Sequence, residues 1–195
     1  MINLPDIDID FLDRSIALEK FRYIPASRQA PTGLVLHNTG VYMQQIPYNQ
    51  ITNMSTIDYK NAEVRGYFKI DFLNVSVYKG IRDNAHLIFL METEPIWELL
   101  KDEEFVNLLF HLHGHVDILM KTLPTSVEQL AAVLAMIRPA KRYLIGKDWN
   151  TIMNEVWNKP VSNEYYFKKS HAIAYSQLVV VHMNLLCEQF HTTNS

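Results

Sequence analysis

The sequence has little of several features that would narrow its class. It contains one cysteine, Cys187, so an internal disulfide is excluded and a reducing compartment is expected. No apolar run approaches the roughly 20 residues that a membrane span needs, and no signal peptide precedes the first predicted strand. We therefore expect a cytoplasmic protein with no membrane partner. The formal net charge of −3 gives no basic excess, so a nucleic-acid surface would have to be a local patch.

What the sequence does have is a short acidic strand at its start, in which aspartates alternate with apolar residues. Successive side chains of an extended strand point to opposite faces, so Asp6, Asp8 and Asp10 share one face. The other face, which we expect to be buried, consists of Ile7, Ile9 and Phe11. Stacked carboxylates repel unless solvent or a cation neutralises them, and hard divalent ions prefer oxygen ligands. The strand predicts a metal-binding edge, with a simple exposed acidic strand as the alternative.

The remaining pattern predicts strands first and helices afterwards, which is an α+β arrangement. A helix capped by Asp13 is expected to run to Arg22 with Ile16 and Phe21 turned inward, and residues 25–31 read as a loop. Predicted strands span residues 34–36, 41–43 and 67–72. Predicted helices span residues 95–124, 126–137, 148–157 and 164–190.

Two polar clusters in the helical half are candidate binding sites, one for a metal ion and one for phosphate. On a continuous helix His111 and His115 would share a face, with His113 nearer the apolar edge, and a solvated helix face explains them better than a metal site does. Residues 168–171 place two lysines, a serine and a histidine at the entry of the last helix, where free backbone N–H groups favour anions. Phosphate binding and a solvated basic turn are both compatible with this second cluster.

Five short motifs follow one another along the chain: Pro5–Phe11, His37–Val41, Phe68–Leu73, Ile137–Pro139 and Phe167–Tyr175. In the same order they resemble the P-D-x-D-x-D-F, H-x-G-G-V, V-K-F-D-F-L, x-R-P-G-P and F-N-K-S-H-A-x-A-Y elements of the C family of bacterial replicative DNA polymerases, typified by the DNA polymerase III α subunit. One such string is a weak signal, whereas five in order across nearly the whole chain are hard to obtain by chance.

The resemblance implies a nucleotidyltransferase-type palm with a small mixed sheet in residues 1–92 and a mainly helical, fingers-like lobe in residues 93–195. DNA and a deoxynucleoside triphosphate would be the substrates. The implied ligands of two Mg²⁺ or Mn²⁺ ions, which are also the implied catalytic residues, are Asp6, Asp8 and Asp71, with a less defined role for Asp10. The implied nucleotide-binding residues are Lys69, Arg138, Lys169 and His171.

Parts of the family pattern have no counterpart. The stretch between Pro25 and His37 is too short for the family's thumb, and the sequence starts at the aspartate motif, downstream of the family's glycine- and serine-rich nucleotide-binding segment. We therefore expect metal-dependent nucleotidyl transfer on DNA by one part of a split or multi-chain polymerase, with a second polypeptide supplying the missing elements. One alternative is a non-catalytic, replication-associated DNA- or partner-binding protein that kept the core fold. Another is an interaction protein whose acidic face engages a basic partner.

Overall fold

The computed structural model describes residues 7–160 and 166–193, without the side chains of residues 192 and 193. The chain divides into two compact units, one ending at Lys79 and the other beginning at Gly80. The structure thus groups residues 80–92 with the helical unit, whereas the boundary drawn from the sequence follows residue 92. The α+β class with a small mixed sheet, expected from the sequence, is confirmed.

The first unit is built on a four-stranded sheet in the order β1, β6, β3, β2. Its strands are β1 (Ile7–Phe11), β2 (Ile24–Ala30), β3 (Gly33–Tyr42) and β6 (Ile70–Asn74). β1 and β6 are parallel, while β3 runs antiparallel to both β6 and β2, which makes the sheet mixed. The other elements are α1 (Arg14–Leu18), the two-stranded sheet of β4 (Tyr48–Asn49) and β5 (Met54–Ser55), and α2 (Tyr59–Val64).

The loop prediction for residues 25–31 is wrong, because this segment contains most of β2. β2 forms a hairpin with β3, and the register shifts between Pro25 and Ser27. β2 lies at the edge of the sheet, where the missing N–H of a proline is tolerated, especially beside a bulge. Pro25 is therefore compatible with a strand at this position.

The apolar face of β1 is less buried than expected. Ile7 and Ile9 are each 37% exposed, because β1 is the other edge strand and, within the described residues, pairs only with β6. Phe72 of β6 is 3% exposed, and Phe11 stacks on it with ring centroids 5.0 Å apart. The core on this face is therefore centred on β6.

Helix α1 begins as predicted and ends early. The carboxylate of Asp13 accepts the backbone N–H of Ser15, which is the expected N-cap. The helix stops at Leu18, well before Arg22. Ile16 and Phe21, which were expected to face inward, are 59% and 52% exposed, so this part of the prediction is wrong.

The second unit is helical and is centred on two helices. Its helices are α3 (Asn84–Glu92), α4 (Glu103–Leu108), α5 (Val116–Thr122), α6 (Val127–Met136), α7 (Trp149–Glu155) and α8 (Lys169–Thr193). Every residue of α6 from Leu130 to Met136 is buried, and α6 packs against α8. Within the described part of the chain, no helix combines the length and the apolar character needed to cross a membrane.

The predicted single helix over residues 95–124 is wrong. A 3-10 turn at Trp97–Lys101 precedes α4, and residues 109–115 separate α4 from α5. His111 and Gly114 have φ values of 62° and 74°, which are left-handed and cannot continue a right-handed helix. His111 and His115 therefore do not share a helix face.

Candidate active site

The two strands that carry the predicted metal ligands lie side by side. In the parallel pairing of β1 with β6, Asp8 is opposite Asp71 and Asp10 is opposite Leu73. Residues directly opposite one another on paired strands project to the same face, and neighbouring strands are about 4.8 Å apart. The structure therefore brings Asp8 and Asp71 together on one face. Asp6, the third predicted ligand, lies outside the described residues.

Asp71 is held by partners on both of its carboxylate oxygens. The residue is 9% exposed and lies opposite Gly40 of β3. The hydroxyl of Thr39 donates to Oδ1 at 2.7 Å, and the ammonium of Lys69 pairs with Oδ2. An ionised carboxylate this enclosed needs such partners, because burial without them carries a large desolvation cost.

The side chain of Lys69 passes over Gly40 to reach Asp71. A Cβ atom added to Gly40 would lie 2.6 Å from Cδ of Lys69, so the absence of a side chain at this position makes room for the lysine. The ammonium also lies 5.9 Å from the centre of the Tyr59 ring. Lys69 is thus placed beside the predicted metal ligand, and its contact with phosphates stays a prediction.

His37 organises the backbone next to Asp71. Its Nδ1 accepts the backbone N–H of Gly40 at 2.9 Å and of Thr39 at 3.3 Å. Burial lowers the pKa of His37, and the charge of Lys69 lowers it further, against the opposing effect of Asp71. The imidazole is therefore neutral at pH 7, as an accepting Nδ1 requires.

Asp10 has a partner of its own. The hydroxyl of Tyr78 donates to its Oδ2 at 3.4 Å. Burial raises the pKa of the Asp10 carboxyl, and the hydrogen bond from Tyr78 acts in the opposite direction. Asp10 therefore has a different partner from Asp71, and a part for Asp10 in metal binding stays a prediction.

The predicted nucleotide-binding residues of the second unit lie next to aromatic rings. The guanidinium of Arg138 is 5.2 Å from the centre of the Phe167 ring. The ring of His171 packs edge to face on the same Phe167 ring, with the two ring centres 6.3 Å apart. The ammonium of Lys169 is 6.0 Å from the centre of the Trp157 ring. Phe167 thus brings Arg138 and His171 together, and Lys169 is the first residue of α8.

The histidines of residues 111–115 do not assemble a metal centre with other ligands. Among the residues searched, which leave out Asp6, no group of three or more His, Cys, Asp and Glu side chains could hold a metal ion. The ring of His111 packs edge to face on Tyr175 at 4.8 Å. Burial, with a smaller contribution from Arg138, lowers the pKa of His111.

Sequence reasoning missed Thr39, His37 and Tyr59 as members of this site. Two of them belong to the motif at residues 37–41, which was used only as part of the family resemblance. Their relation to Asp71 depends on the pairing of β3 with β6, which covers only two residue pairs. The available signal was the motif itself, which places His37 and Thr39 within three residues of Gly40.

Comparison of the chain with protein-family models found no match, and comparison with curated proteins found none either. A relation to the replicative polymerases is therefore a proposal that depends on the five motifs and on the geometry of the site.

Proposed function

We propose that this protein is the catalytic part of a DNA polymerase similar to the C family, and that it extends a DNA 3′ end with deoxynucleotides. The observation that carries the proposal is the register of β1 against β6, which sets Asp8 opposite Asp71. These residues come from two motifs far apart in the sequence, and the resemblance implies that both hold the same metals. A polymerase site needs this convergence of carboxylates.

The side chains suit two Mg²⁺ or Mn²⁺ ions. Carboxylate oxygens are the ligands that both ions prefer. The ammonium of Lys69 against Asp71 also indicates that the site accommodates positive charge. Asp8 and Asp71 would hold the ions, with Asp6 as the implied third ligand. When bound, such ions lower the pKa of the primer 3′-hydroxyl and neutralise charge on the transferred phosphate.

The chain's own groups would bind and orient the substrates. In the reaction, the primer 3′-hydroxyl loses its proton to water and its oxygen forms a bond to the α-phosphorus. The bond from that phosphorus to the β-phosphate oxygen breaks, and pyrophosphate leaves. Lys69 would exchange its contact with Asp71 for phosphate oxygens. On the second unit, Arg138 and Lys169 would supply cationic groups for a triphosphate, and His171 would supply a hydrogen-bonding ring.

The hairpin of β2 and β3 supports a multi-chain polymerase. Only residues 31 and 32 lie between the two strands, so the thumb that the resemblance places in this interval has no room there. The element that holds the primer and template must therefore come from elsewhere. We assign this role to a second polypeptide.

Primer extension tests the proposal. We expect the isolated protein to extend a primed template weakly or not at all with Mg²⁺ or Mn²⁺. Extension should appear when a second chain that holds the primer and template is added, because the short β2–β3 connection leaves no room for the family's thumb in that interval. The Asp8→Asn variant with the same second chain is the control and should stay inactive. Strong extension by the wild type alone would contradict the multi-chain arrangement while supporting the chemistry.

One observation favours the alternative of a non-catalytic, replication-associated binding protein. Both oxygens of Asp71 already have partners inside the protein, as they would in a site that no longer binds metal. Deoxynucleotide incorporation separates the two functions. A wild type that binds DNA but never incorporates, with any added chain or metal, would favour the alternative.

A further inference from the structure

The carboxylate of Asp71 is fixed by a chain of contacts that begins at His37. The imidazole Nδ1 accepts two consecutive backbone N–H groups, those of Thr39 and Gly40, and so holds the backbone in one conformation. In this conformation the Thr39 hydroxyl donates to Oδ1 of Asp71 at 2.7 Å. The ring of His37 is itself packed edge to face on Tyr59 at 5.1 Å.

The packing leaves this arrangement little freedom. A Cβ atom on Gly40 would be 3.0 Å from Nδ1 of His37 as well as 2.6 Å from Cδ of Lys69. The imidazole of His37 and the aliphatic part of the Lys69 side chain therefore both pack against Gly40. A side chain at this position would require at least one of them to move.

We propose that Thr39 is a positioning residue for the metal site, and that His37 holds Thr39 in place. The inference rests on the proposed function and deepens it. The two oxygens of Asp71 have different partners: a neutral hydroxyl holds Oδ1, and a flexible ammonium holds Oδ2. A metal ion can replace the ammonium, whereas the hydroxyl bond can persist and fix the plane of the carboxylate.

A carboxylate whose plane is already fixed loses less conformational freedom when it binds a metal ion. Hydrogen bonds to ligating groups typically change metal affinity about 10- to 100-fold when they are removed. Thr39 is well suited to this role, since a threonine hydroxyl can donate to Oδ1 and leave the other carboxylate oxygen open. Its branched Cβ also restricts the rotamers available to the hydroxyl.

The test is the affinity for Mn²⁺, measured directly by titration of free Mn²⁺ with electron paramagnetic resonance. The Thr39→Val variant keeps the branched shape and removes the hydroxyl, and we expect it to bind Mn²⁺ about 10- to 100-fold more weakly. The Thr39→Ser variant keeps the hydroxyl and should bind within about 3-fold of the wild type. The control is Thr56→Val, which makes the same change at an exposed threonine of the same unit.

Two variants test the part assigned to His37. His37→Asn retains an acceptor near the position of Nδ1 and should keep most of the affinity. His37→Phe retains a ring against Tyr59 but has no acceptor, and we expect it to lose affinity as Thr39→Val does. Thermal unfolding in a chelator reports the folding of every variant separately from its metal binding.

The outcomes distinguish the two proposals. Normal Mn²⁺ affinity in Thr39→Val, with a wild type that binds Mn²⁺ and an Asp8→Asn variant that does not, would overturn the positioning role alone. A lower unfolding temperature without a change in affinity would show that the hydroxyl is only structural, which also overturns that role. A wild type that binds no Mn²⁺ would overturn the proposed function, and the positioning role with it.

Discussion

Replacing Asp71 by asparagine is expected to lower nucleotide incorporation by about 10³-fold or more in any mixture in which the wild type is active. A metal ligand at a phosphoryl-transfer site supplies several kcal/mol of transition-state stabilisation, and about 4 kcal/mol corresponds to about 10³-fold in rate. Asparagine keeps the shape of the side chain and can still accept from Thr39, but it removes the negative charge. The measurement is single-nucleotide incorporation with Mg²⁺.

Two further variants separate this loss from a folding defect. Asp71→Asn also leaves the ammonium of Lys69, whose side chain is 16% exposed, without its carboxylate partner, so some stability will be lost. Asp8→Asn makes the same change on β1 and is expected to lower the rate as much. Asp117→Asn makes the same change at an exposed position of α5 in the second unit, and this control should retain the rate within about 10-fold. Activity that survives both Asp8→Asn and Asp71→Asn would contradict the assigned roles.

Replacing Asn184 by aspartate is expected to destabilise the helical unit by about 3 kcal/mol or more. Asn184 on α8 is 7% exposed. Its amide donates to the carbonyl of Leu90 at 2.9 Å and of Thr93 at 2.8 Å, at the end of α3. A carboxylate has the same shape but no hydrogen to donate, so it would place a buried charge against two carbonyl oxygens. Urea unfolding at pH 7 measures the loss.

The pH dependence of the stability of Asn184→Asp shows whether the buried negative charge causes the loss. Burial next to two carbonyl oxygens raises the folded-state pKa of the introduced carboxyl above its unfolded-state pKa. The full loss of folding stability is therefore expected at pH values above the folded-state pKa. The penalty decreases as pH falls towards about 4, since the protonated acid can donate one of the two hydrogen bonds. Asn154→Asp, at an exposed position of α7, is the control and should change stability by less than about 0.5 kcal/mol. A small effect of Asn184→Asp at pH 7 would show that the amide does not hold α3 on α8.

Local signals predicted some parts of the fold well. Asp13, Ser126 and Asp148 were taken as helix starts, and each accepts a backbone N–H as an N-cap. Such caps depend on a few neighbouring residues, so the sequence contains the information needed. The break at His111 was not predictable in this way. A left-handed conformation at a histidine depends on the packing around it, and the apolar spacing on both sides is typical of a continuous helix.

The candidate site was only partly predictable for a related reason. The alternation in the first strand gave Asp8 and Asp10 a common face, but only the motif resemblance linked them to Asp71. Nothing in the local pattern shows that β1 pairs with β6 in parallel. The contact of Thr39 with Asp71 needs the additional pairing of β3 with β6, which is a tertiary feature.

The central claim is that Asp8 and Asp71 hold the metals of a nucleotidyl-transfer site, and anomalous diffraction from Mn²⁺ tests it most directly. Crystals of the wild-type protein grown with Mn²⁺ should show anomalous peaks bonded to both carboxylates. With a nucleotide bound, two peaks about 3.5 to 4 Å apart are expected, with Lys69 moved away from Asp71. The same crystals of Asp8→Asn should lose these peaks. Peaks absent from both carboxylates in the wild type, with Lys69 still paired to Asp71, would contradict the claim.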